Sequence, residues 1–388
     1  DENTDPNGGS NSGQTTPPDP DSDAKDVIHV PKGGMLAGIL NELGLTEPSS
    51  LKLSGTLGVS DFTTLRNIQS LEHLDISRVN LSVLPTEAFL ECTNIKSVIL
   101  PNTLTAIGTQ AFCHSSLVSI SIPASVETIE GGAFFRCTAL QTVTFEKGSK
   151  LKTIKNGSGW SGVFESCTSL TSIEIPASVE TIGYDAFQGC SSLKTVTFEK
   201  GSKLKTVETN VFFYCTSLTS IEIPASVEEI ERYAFSGCTS LQTVTFEKGS
   251  KLKTIGNFAF TNCTSLTTIE IPASVETIRG GAFSDCTSLK TVTFEKGSQL
   301  LTVDGYYNYG AFSDCTALTT VDMSACTQVT EIGYRAFYED SKLQLFKIGT
   351  RTPPSCEGSA FWGINSYSVL KVPAGCVDAY KKAKGWNE

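Results

Sequence analysis

Apolar side chains recur along most of this chain with a period in the twenties. The unit is a phenylalanine, a cysteine three positions later and a leucine three positions after that, as in Phe134, Cys137 and Leu140. A period of this length predicts a solenoid, whose coils must stack on one another to bury their apolar faces. Successive copies are marked by Phe89, Phe112, Phe134, Phe164, Phe187, Phe212, Phe235, Phe260, Phe283, Phe312, Phe337 and Phe361.

Within each coil the pattern changes from strand to turn. In residues 140–145 (LQTVTF) the apolar side chains Val143 and Phe145 alternate with threonines, which predicts a half-buried strand. A proline such as Pro176 ends the strand, because it has no N–H for the ladder. A second extended piece, at 179–182, and one helical turn carrying Phe187 and its cysteine are expected to complete the coil.

Four segments follow from this pattern. Residues 1–25 contain no Leu, Ile, Val or aromatic residue, which predicts a disordered acidic Pro/Gly/Ser tether. Residues 26–80 are predicted to form an N-terminal cap of divergent leucine-rich coils, with strands at 27–30 and near Leu51. Helices are predicted at 35–43 and after Asp61, which is expected to act as the N-cap residue of the second helix. Residues 81–349 are the array. Residues 350–388 are predicted to close it with a strand at 370–372, a helix at 377–382 and Trp386 as a lid.

Charge and composition narrow the function classes. The net charge is -11, and residues 1–25 hold six acids against Lys25, so the remainder is mildly acidic and nucleic-acid binding is not expected. No apolar run approaches the roughly 18–20 residues that span a bilayer. The chain starts at Asp1 without Met or a signal segment, and we expect a mature form whose export signal was removed.

Two coil types alternate, one acidic and one basic. The acidic type carries glutamates at equivalent positions (Glu174, Glu222 and Glu270), and the basic type carries lysines. We expect adjacent strands to place opposite charges side by side, each pair contributing roughly 0.2–1 kcal/mol. The simplest interpretation is that these charges fix the register of the strands and keep the protein soluble. The alternative is that this Thr/Ser/Glu face is a polar binding surface.

The 13 cysteines are expected to pack rather than react. Eight occupy the same apolar position in successive coils and are predicted to be buried free thiols: Cys137, Cys167, Cys190, Cys215, Cys238, Cys263, Cys286 and Cys315. Asp340 stands at this position in a late coil, where we expect burial to loosen. Cys356 and Cys376 lie outside the motif, which leaves open a disulfide across the C-terminal cap.

No arrangement of residues predicts catalysis. Zinc-ligand spacing, catalytic triads and phosphate loops are missing from the sequence, and the three histidines stand in unrelated contexts. We therefore expect no enzyme activity, metal or cofactor. The abundant carboxylates leave a glycosidase pair as the least supported alternative.

Two insertions interrupt the period just before a motif phenylalanine. Residues 155–163 (KNGSGWSGV) present Trp160, and residues 304–310 (DGYYNYG) present Tyr306, Tyr307 and Tyr309. Aromatic side chains in loops on a rigid scaffold are favoured contacts for protein or sugar. The alternative is that the insertions are merely tolerated and that their rings fold back onto the coil.

The repeat resembles a known family. The run I-P-x-S-V-x-x-I-x-x-x-A-F-x-x-C-x-x-L, present at 175–193, resembles the BspA-type leucine-rich repeat of secreted and surface proteins from Bacteroides-like bacteria. The ending VPAGCVDAYKKAKGW (372–386) is similar to the C-terminal closure of such proteins. The resemblance implies a leucine-rich repeat solenoid of horseshoe or rod type, with a strand and a short helical turn per coil. The acidic tail resembles the segment after the lipidated cysteine of a surface lipoprotein, which implies a lipid anchor upstream of Asp1.

The same resemblance implies a function in adhesion. Proteins of this kind are associated with host matrix proteins, other bacteria and epithelial cells, although a fold does not name a ligand. We expect a monomeric, non-enzymatic protein on the bacterial outer membrane, or secreted, that binds a macromolecule of this kind. A glycan-binding surface lipoprotein for polysaccharide capture and a passive surface spacer are the alternatives.

Overall fold

The chain winds into a parallel β-solenoid with little helix, as the repeat predicts. A computed structural model describes residues 26–157 and 161–386, so the expected tether at 1–25 lies outside the described residues. Each coil contributes one longer strand whose side chains alternate between core and surface. In Ser172–Ile175, the two isoleucines are buried and Glu174 is exposed.

The longer strands lie in register along one side of the solenoid. Ile173 pairs with Val196 of the next coil, so apolar side chains meet apolar side chains along the axis. Ten strands run in the order Val27–Val30, Ser50–Gly55, His73–Val79, Ser97–Ile99, Ser119–Ile122, Thr142–Phe145, Ser172–Ile175, Thr195–Phe198, Ser220–Ile223 and Thr243–Phe246. Five more continue beside the last of these: Thr268–Ile271, Thr291–Phe294, Thr320–Met323, Leu345–Ile348 and Val369–Lys371.

Two-residue strands form the second side, where the short extended piece was predicted. Five lie at Val83–Leu84, Ala106–Ile107, Thr128–Ile129, Thr153–Ile154 and Thr181–Ile182. Seven follow at Thr206–Val207, Glu229–Ile230, Thr254–Ile255, Thr277–Ile278, Thr302–Val303, Glu331–Ile332 and Ser355–Cys356. One residue of each pair points into the core, as Ile182 does.

The third side, which we call the turn face, runs in each coil from three residues before the motif phenylalanine to two residues after it. It holds tight turns in place of the predicted helical turn, because alternate N–H groups point along the axis. Phe187 donates to the Val211 carbonyl at 2.9 Å, and Gly189 donates to the Phe213 carbonyl at 2.8 Å. In most coils the geometry puts the residues two before and two after the phenylalanine at left-handed φ, for example 60° at Asp185. Every side of the coil is therefore hydrogen-bonded to the next.

A column of phenylalanine rings fills the space between these sides. Neighbouring rings such as Phe134 and Phe164 stack with centroids 5.1 Å apart and planes 7° from parallel. Rings in such offset contact gain attraction beyond the burial of their area. The column continues from Phe89 to Phe361 without a break.

Short helices close both ends. At the N-terminus, α1 (Leu36–Glu42) and α2 (Val59–Asn67) lie where helices were predicted. At the C-terminus, α3 (Val377–Lys382) leads to Trp386, whose indole contacts the Phe361 and Tyr380 rings and donates to the Pro354 carbonyl at 2.9 Å. Trp386 therefore covers the last apolar layer, as expected of a lid.

Asp61 caps its helix as predicted, but from the third helical residue and not from the residue before the helix. Helix α2 begins two residues earlier, and the Asp61 side chain is buried inside the N-terminal cap. Its Oδ2 accepts N–H groups from Gly34 at 2.6 Å and Gly58 at 2.7 Å, and its Oδ1 accepts that of Leu36 at 3.0 Å. One carboxylate thus joins the starts of both helices.

We predict that Asp61→Ala lowers the free energy of unfolding by about 3 kcal/mol, because three N–H donors lose their acceptor in a buried site. Urea denaturation followed by circular dichroism measures the change. Asp75→Ala is the control, since the carboxylate of Asp75 accepts the Ser77 N–H at an exposed position. Equal stability of the two variants would contradict the role assigned to Asp61.

Candidate functional site

The second insertion forms a hairpin on the turn face. Strands Gly305–Tyr306 and Tyr309–Gly310 pair antiparallel. The Tyr307 side chain at its tip is 80% exposed, and that of Tyr309 is 46% exposed. The Phe258 ring meets the rings of Tyr306 and Tyr309 edge to face, at 6.0 Å and 5.2 Å between centroids. The hairpin therefore folds back toward an earlier coil while keeping aromatic surface in contact with solvent.

A pair of glycines makes room for this contact. A Cβ on Gly280 would lie 2.2 Å from the Tyr306 nitrogen, and a Cβ on Gly281 would lie 2.4 Å from the Phe258 ring. The coil between Phe258 and the hairpin therefore has no side chain at these two positions. Gly131 plays the same part before the first insertion, since its Cβ would meet Gly157.

An arginine lies among these rings. The Arg232 guanidinium carbon lies 4.7 Å from the Tyr233 ring centroid, 5.8 Å from that of Phe258 and 5.6 Å from that of Tyr306. Its Nη2 donates to the Tyr233 hydroxyl at 3.0 Å, and this hydrogen bond raises the pKa of Arg232. In the described part of the chain, no carboxylate oxygen forms an ion pair with it.

The aromatic surface continues on both sides. Toward the N-terminus, the Phe213 ring lies 6.0 Å from Tyr233. Toward the C-terminus, Arg335 donates to the hairpin carbonyl of Asn308 at 3.2 Å and covers the Tyr338 ring at 4.2 Å. The Tyr338 ring stacks on Trp362 at 5.0 Å. We call this surface the aromatic stripe; it comprises Phe213, Tyr214, Arg232, Tyr233, Phe258, Tyr306, Tyr307, Tyr309, Tyr334, Arg335, Tyr338 and Trp362.

Several rings of the stripe stand on strained backbone. Tyr214, Tyr233, Phe258 and Tyr307 have φ between 53° and 57°, a region that disfavours bulky side chains. Equivalent positions in other coils hold Asp185 and Asn210, which suit this conformation, but also Gln110 and Arg136, so the left-handed φ belongs to the repeat. The rings therefore occupy positions whose backbone conformation is set by the turn of the coil.

The sequence patterns point to only part of this site. Tyr306, Tyr307 and Tyr309 were expected as candidates and lie together, whereas the stripe's contributions from other coils were missed. A usable signal existed, because Tyr233 and Phe258 stand two residues before their motif phenylalanines, where other coils carry small or polar residues. Trp160 lies outside the described residues, so its role stays a prediction.

The strand glutamates occupy a separate surface. Glu174, Glu222 and Glu270 are exposed on every second strand of the long sheet, about 10 Å apart at the usual strand spacing. The expectation that basic residues flank them is wrong, since Glu174 pairs with Thr197 and Glu222 with Thr245. Their part in binding stays a prediction.

Opposite charges do meet between coils, on the loops. Lys205 lies 3.0 Å from Glu228, Lys253 lies 3.4 Å from Glu276, and Lys152 lies 2.9 Å from Glu127. These pairs are solvent-exposed and screened by salt, so each contributes little to stability. Their regular spacing supports the interpretation that the charges fix register.

The eight motif thiols lie in the core. Each is completely buried, and each donates to the phenylalanine carbonyl of the preceding coil, as Cys190 does to Phe164 at 3.1 Å. Burial raises the pKa of Cys190 to about 12, so it stays a thiol at neutral pH. The disulfide left open between Cys356 and Cys376 stays a prediction; the Cys356 sulfur lies 3.4 Å from the Gly385 carbonyl, and the Cys376 sulfur lies 3.9 Å from that of Ala374.

The expectation that burial loosens at Asp340 is wrong. This side chain is 0% exposed, because the C-terminal cap covers the coil that follows it. Its Oδ1 accepts the Cys315 N–H at 2.9 Å, while its Oδ2 is buried with no hydrogen-bond partner in the described structure. Burial raises the pKa of Asp340 well above its ordinary 3.8, and Asp314 adds to the shift.

We predict that Asp340 makes stability fall as pH rises. Above pH 3.8 the unfolded chain loses this proton while the folded chain keeps it, so the contribution present in acid is lost toward the higher folded-state pKa. Asp340→Asn, which keeps the acceptor for Cys315, should raise the melting temperature more at pH 8 than at pH 4. Asp340→Cys, which restores the repeat residue, should do the same.

The control for this titration is Asp378→Asn, at an exposed position in helix α3. Melting temperatures measured by calorimetry between pH 4 and pH 8 compare the three variants with the parent chain. An unchanged pH dependence in Asp340→Asn would contradict the assignment.

We also predict that Gly281→Ala disrupts the stripe. Gly281 and Gly148 both have left-handed φ, +69° and +78°, so alanine is strained at either site. Only at Gly281 does the added methyl meet the Phe258 ring; Gly148 has open space around it. Gly281→Ala should cost about 1–3 kcal/mol more than Gly148→Ala, measured by thermal unfolding. Equal losses would show that the ring moves freely.

Other chemistry is not apparent among the described residues. They contain no group of three or more His, Cys, Asp or Glu side chains placed to hold a metal ion. None of the described helices combines the length and apolar character of a membrane-spanning segment.

The repeat matches a known family of repeat sequences. The sequence profile of the BspA type leucine rich repeat region matches six copies over residues 61–158, 160–290 and 205–344. A leucine-rich repeat protein from Bacteroides ovatus is 23% identical, with a TM-score of 0.59 over 89% of this chain and 91% of that one. Its crystal structure supports the fold assignment. No curated protein is significantly similar to the chain.

Two further crystal structures align less closely. A leucine rich cell surface protein from Faecalibacterium prausnitzii is 23% identical, with a TM-score of 0.41 over 77% of this chain and 85% of that one. The pneumococcal vaccine antigen PcpA is 22% identical, with a TM-score of 0.44 over 87% of this chain and 76% of that one.

Proposed function

This chain belongs to the family of proteins with BspA-type leucine-rich repeat regions, and we propose that it is a non-enzymatic binding protein displayed on a bacterial surface. Its ligand is a macromolecule contacted by the aromatic stripe. Repeat solenoids of this kind typically serve as binding scaffolds, because their stacked coils build extended surfaces. Residues 1–25 act as the tether that holds the scaffold away from its anchor.

The observation that carries this proposal is the exposure of aromatic rings on a rigid frame. Tyr307, Trp362, Tyr214 and Tyr309 are between 46% and 80% exposed, although the same chain buries its motif phenylalanines from Phe89 to Phe337. Tyrosine, tryptophan and arginine dominate the energy of binding surfaces, since they supply large contact areas with few rotatable bonds. A passive spacer does not need these exposed rings.

The way in which the hairpin is held in place also supports a binding role. The hairpin is held from one side by the Arg335–Asn308 hydrogen bond and rests on the coil of Gly280 on the other. A surface fixed in this way loses little conformational entropy when a ligand binds, so more of the contact energy appears as affinity.

We predict that removing exposed rings abolishes binding without unfolding the chain. The full-length protein is screened for binding to immobilised host matrix proteins, bacterial cells and glycans. Tyr307→Ser combined with Tyr309→Ser should weaken any binding by at least tenfold, while the melting temperature changes by no more than a few degrees.

The matched control is the triple variant Glu174→Gln, Glu222→Gln and Glu270→Gln, which alters the long sheet and leaves the turn face intact. Retained binding in this variant is expected. If the triple variant loses binding and the tyrosine variant does not, the long sheet is the site and the stripe is not. No binding to any ligand class would favour the passive spacer.

A further inference from the structure

Resting on the binding role proposed above, we infer that the ligand of the aromatic stripe is a neutral, linear polysaccharide. The stripe follows the solenoid axis from the coil of Phe212 to the coil of Phe361. Six coil spacings separate these ends, or about 30 Å at the usual distance between strands. A surface of this length and direction fits an extended chain better than a compact molecule.

The side chains of the aromatic stripe are chemically complementary to sugars. A tyrosine presents an apolar ring and a hydroxyl on one rigid side chain. A pyranose presents C–H groups on its faces and hydroxyls around its edge. The exposed Tyr307 and Tyr309 can therefore contact a sugar ring face and hydrogen-bond its edge at the same time. The stripe contains no leucine, isoleucine, valine or methionine, the side chains that would favour a purely apolar partner.

Backbone hydrogen bonding argues against an extended peptide as the ligand. Peptides that lie along a protein in extended form gain much of their affinity from unpaired backbone groups at a sheet edge. On the turn face those groups are already used along the axis. Tyr233 donates to the Asn257 carbonyl at 3.1 Å, and Phe258 donates to that of Gly280 at 3.2 Å. Recognition here must come from side chains, as it does for sugars.

Charge on the stripe and beside it is mixed. Arg232 and Arg335 lie four coils apart, about 19 Å at the usual strand spacing. Asp285 and Asp314 lie on the same turn face between them in coil order. A polyanion would be repelled by the aspartates and a polycation by the arginines, whereas an uncharged chain is repelled by neither. Each guanidinium has five N–H donors in a planar fork; Arg232 uses one on the Tyr233 hydroxyl and Arg335 one on the Asn308 carbonyl, which leaves Nη donors for the hydroxyls of a sugar.

The test is isothermal titration calorimetry on the full-length chain with soluble probes. The probes are neutral hexasaccharides and disaccharides of glucose, mannose and xylose, with polygalacturonate and polylysine as charged polymers. At least one neutral hexasaccharide should bind, and at least tenfold more tightly than its disaccharide, because it spans more of the stripe. Raising salt from 50 mM to 500 mM should change this affinity less than threefold.

Two variants locate the binding. Tyr307→Ser combined with Tyr309→Ser should weaken hexasaccharide binding at least tenfold. Tyr367→Ser is the matched control, since Tyr367 is 87% exposed in the C-terminal cap and lies outside the stripe; it should bind like the parent chain.

The outcomes separate this inference from the proposed function. If only a charged polymer binds, or only a matrix protein does, and the tyrosine variant loses that binding, the stripe is a binding site but not for neutral polysaccharide. Equal loss in Tyr367→Ser would also overturn the inference. If no ligand of any class depends on the stripe, both the inference and the proposed function fall.

Discussion

Stacking of one coil on the next is the constraint from which the rest of this structure follows. A single coil has one phenylalanine, a few aliphatic side chains and a thiol, and it cannot enclose them alone. Stacking places each ring about one strand spacing from its neighbour, which matches the 5.1 Å between Phe134 and Phe164. Because that rise is fixed, extra residues cannot enter the core. The insertion at 304–310 therefore leaves the coil as a hairpin.

Stacking also determines which parts of the structure can be predicted from the sequence. Strands, helices and the buried phenylalanine column depend on local alternation and period, and these were predicted close to their observed bounds. The position of Asp61 in its helix and the burial of Asp340 were misjudged because their surroundings come from distant segments. Asp61 joins two helix starts, and Asp340 lies under a cap that the repeat pattern does not describe.

The aromatic stripe was harder to predict for a related reason. Residues that meet along the axis are separated by a whole coil, so Tyr233 and Phe258 are neighbours in space at a spacing of 25 positions. Aligning the coils on their phenylalanines puts these two residues in one column. It does not show that a hairpin from a later coil reaches back over Gly281 to join them, since that depends on absent side chains.

Hydrogen-bond ladders on all sides of the coil have a mechanical consequence. A surface protein anchored at one end and attached to a ligand elsewhere is loaded in tension. Tension along the axis pulls coils apart one at a time, because each contacts only its neighbours. A ligand lying along the aromatic stripe would cross several coil boundaries at once and share that load. Attachment would then reinforce the section of the solenoid that carries the force, and the coils outside the stripe would separate first.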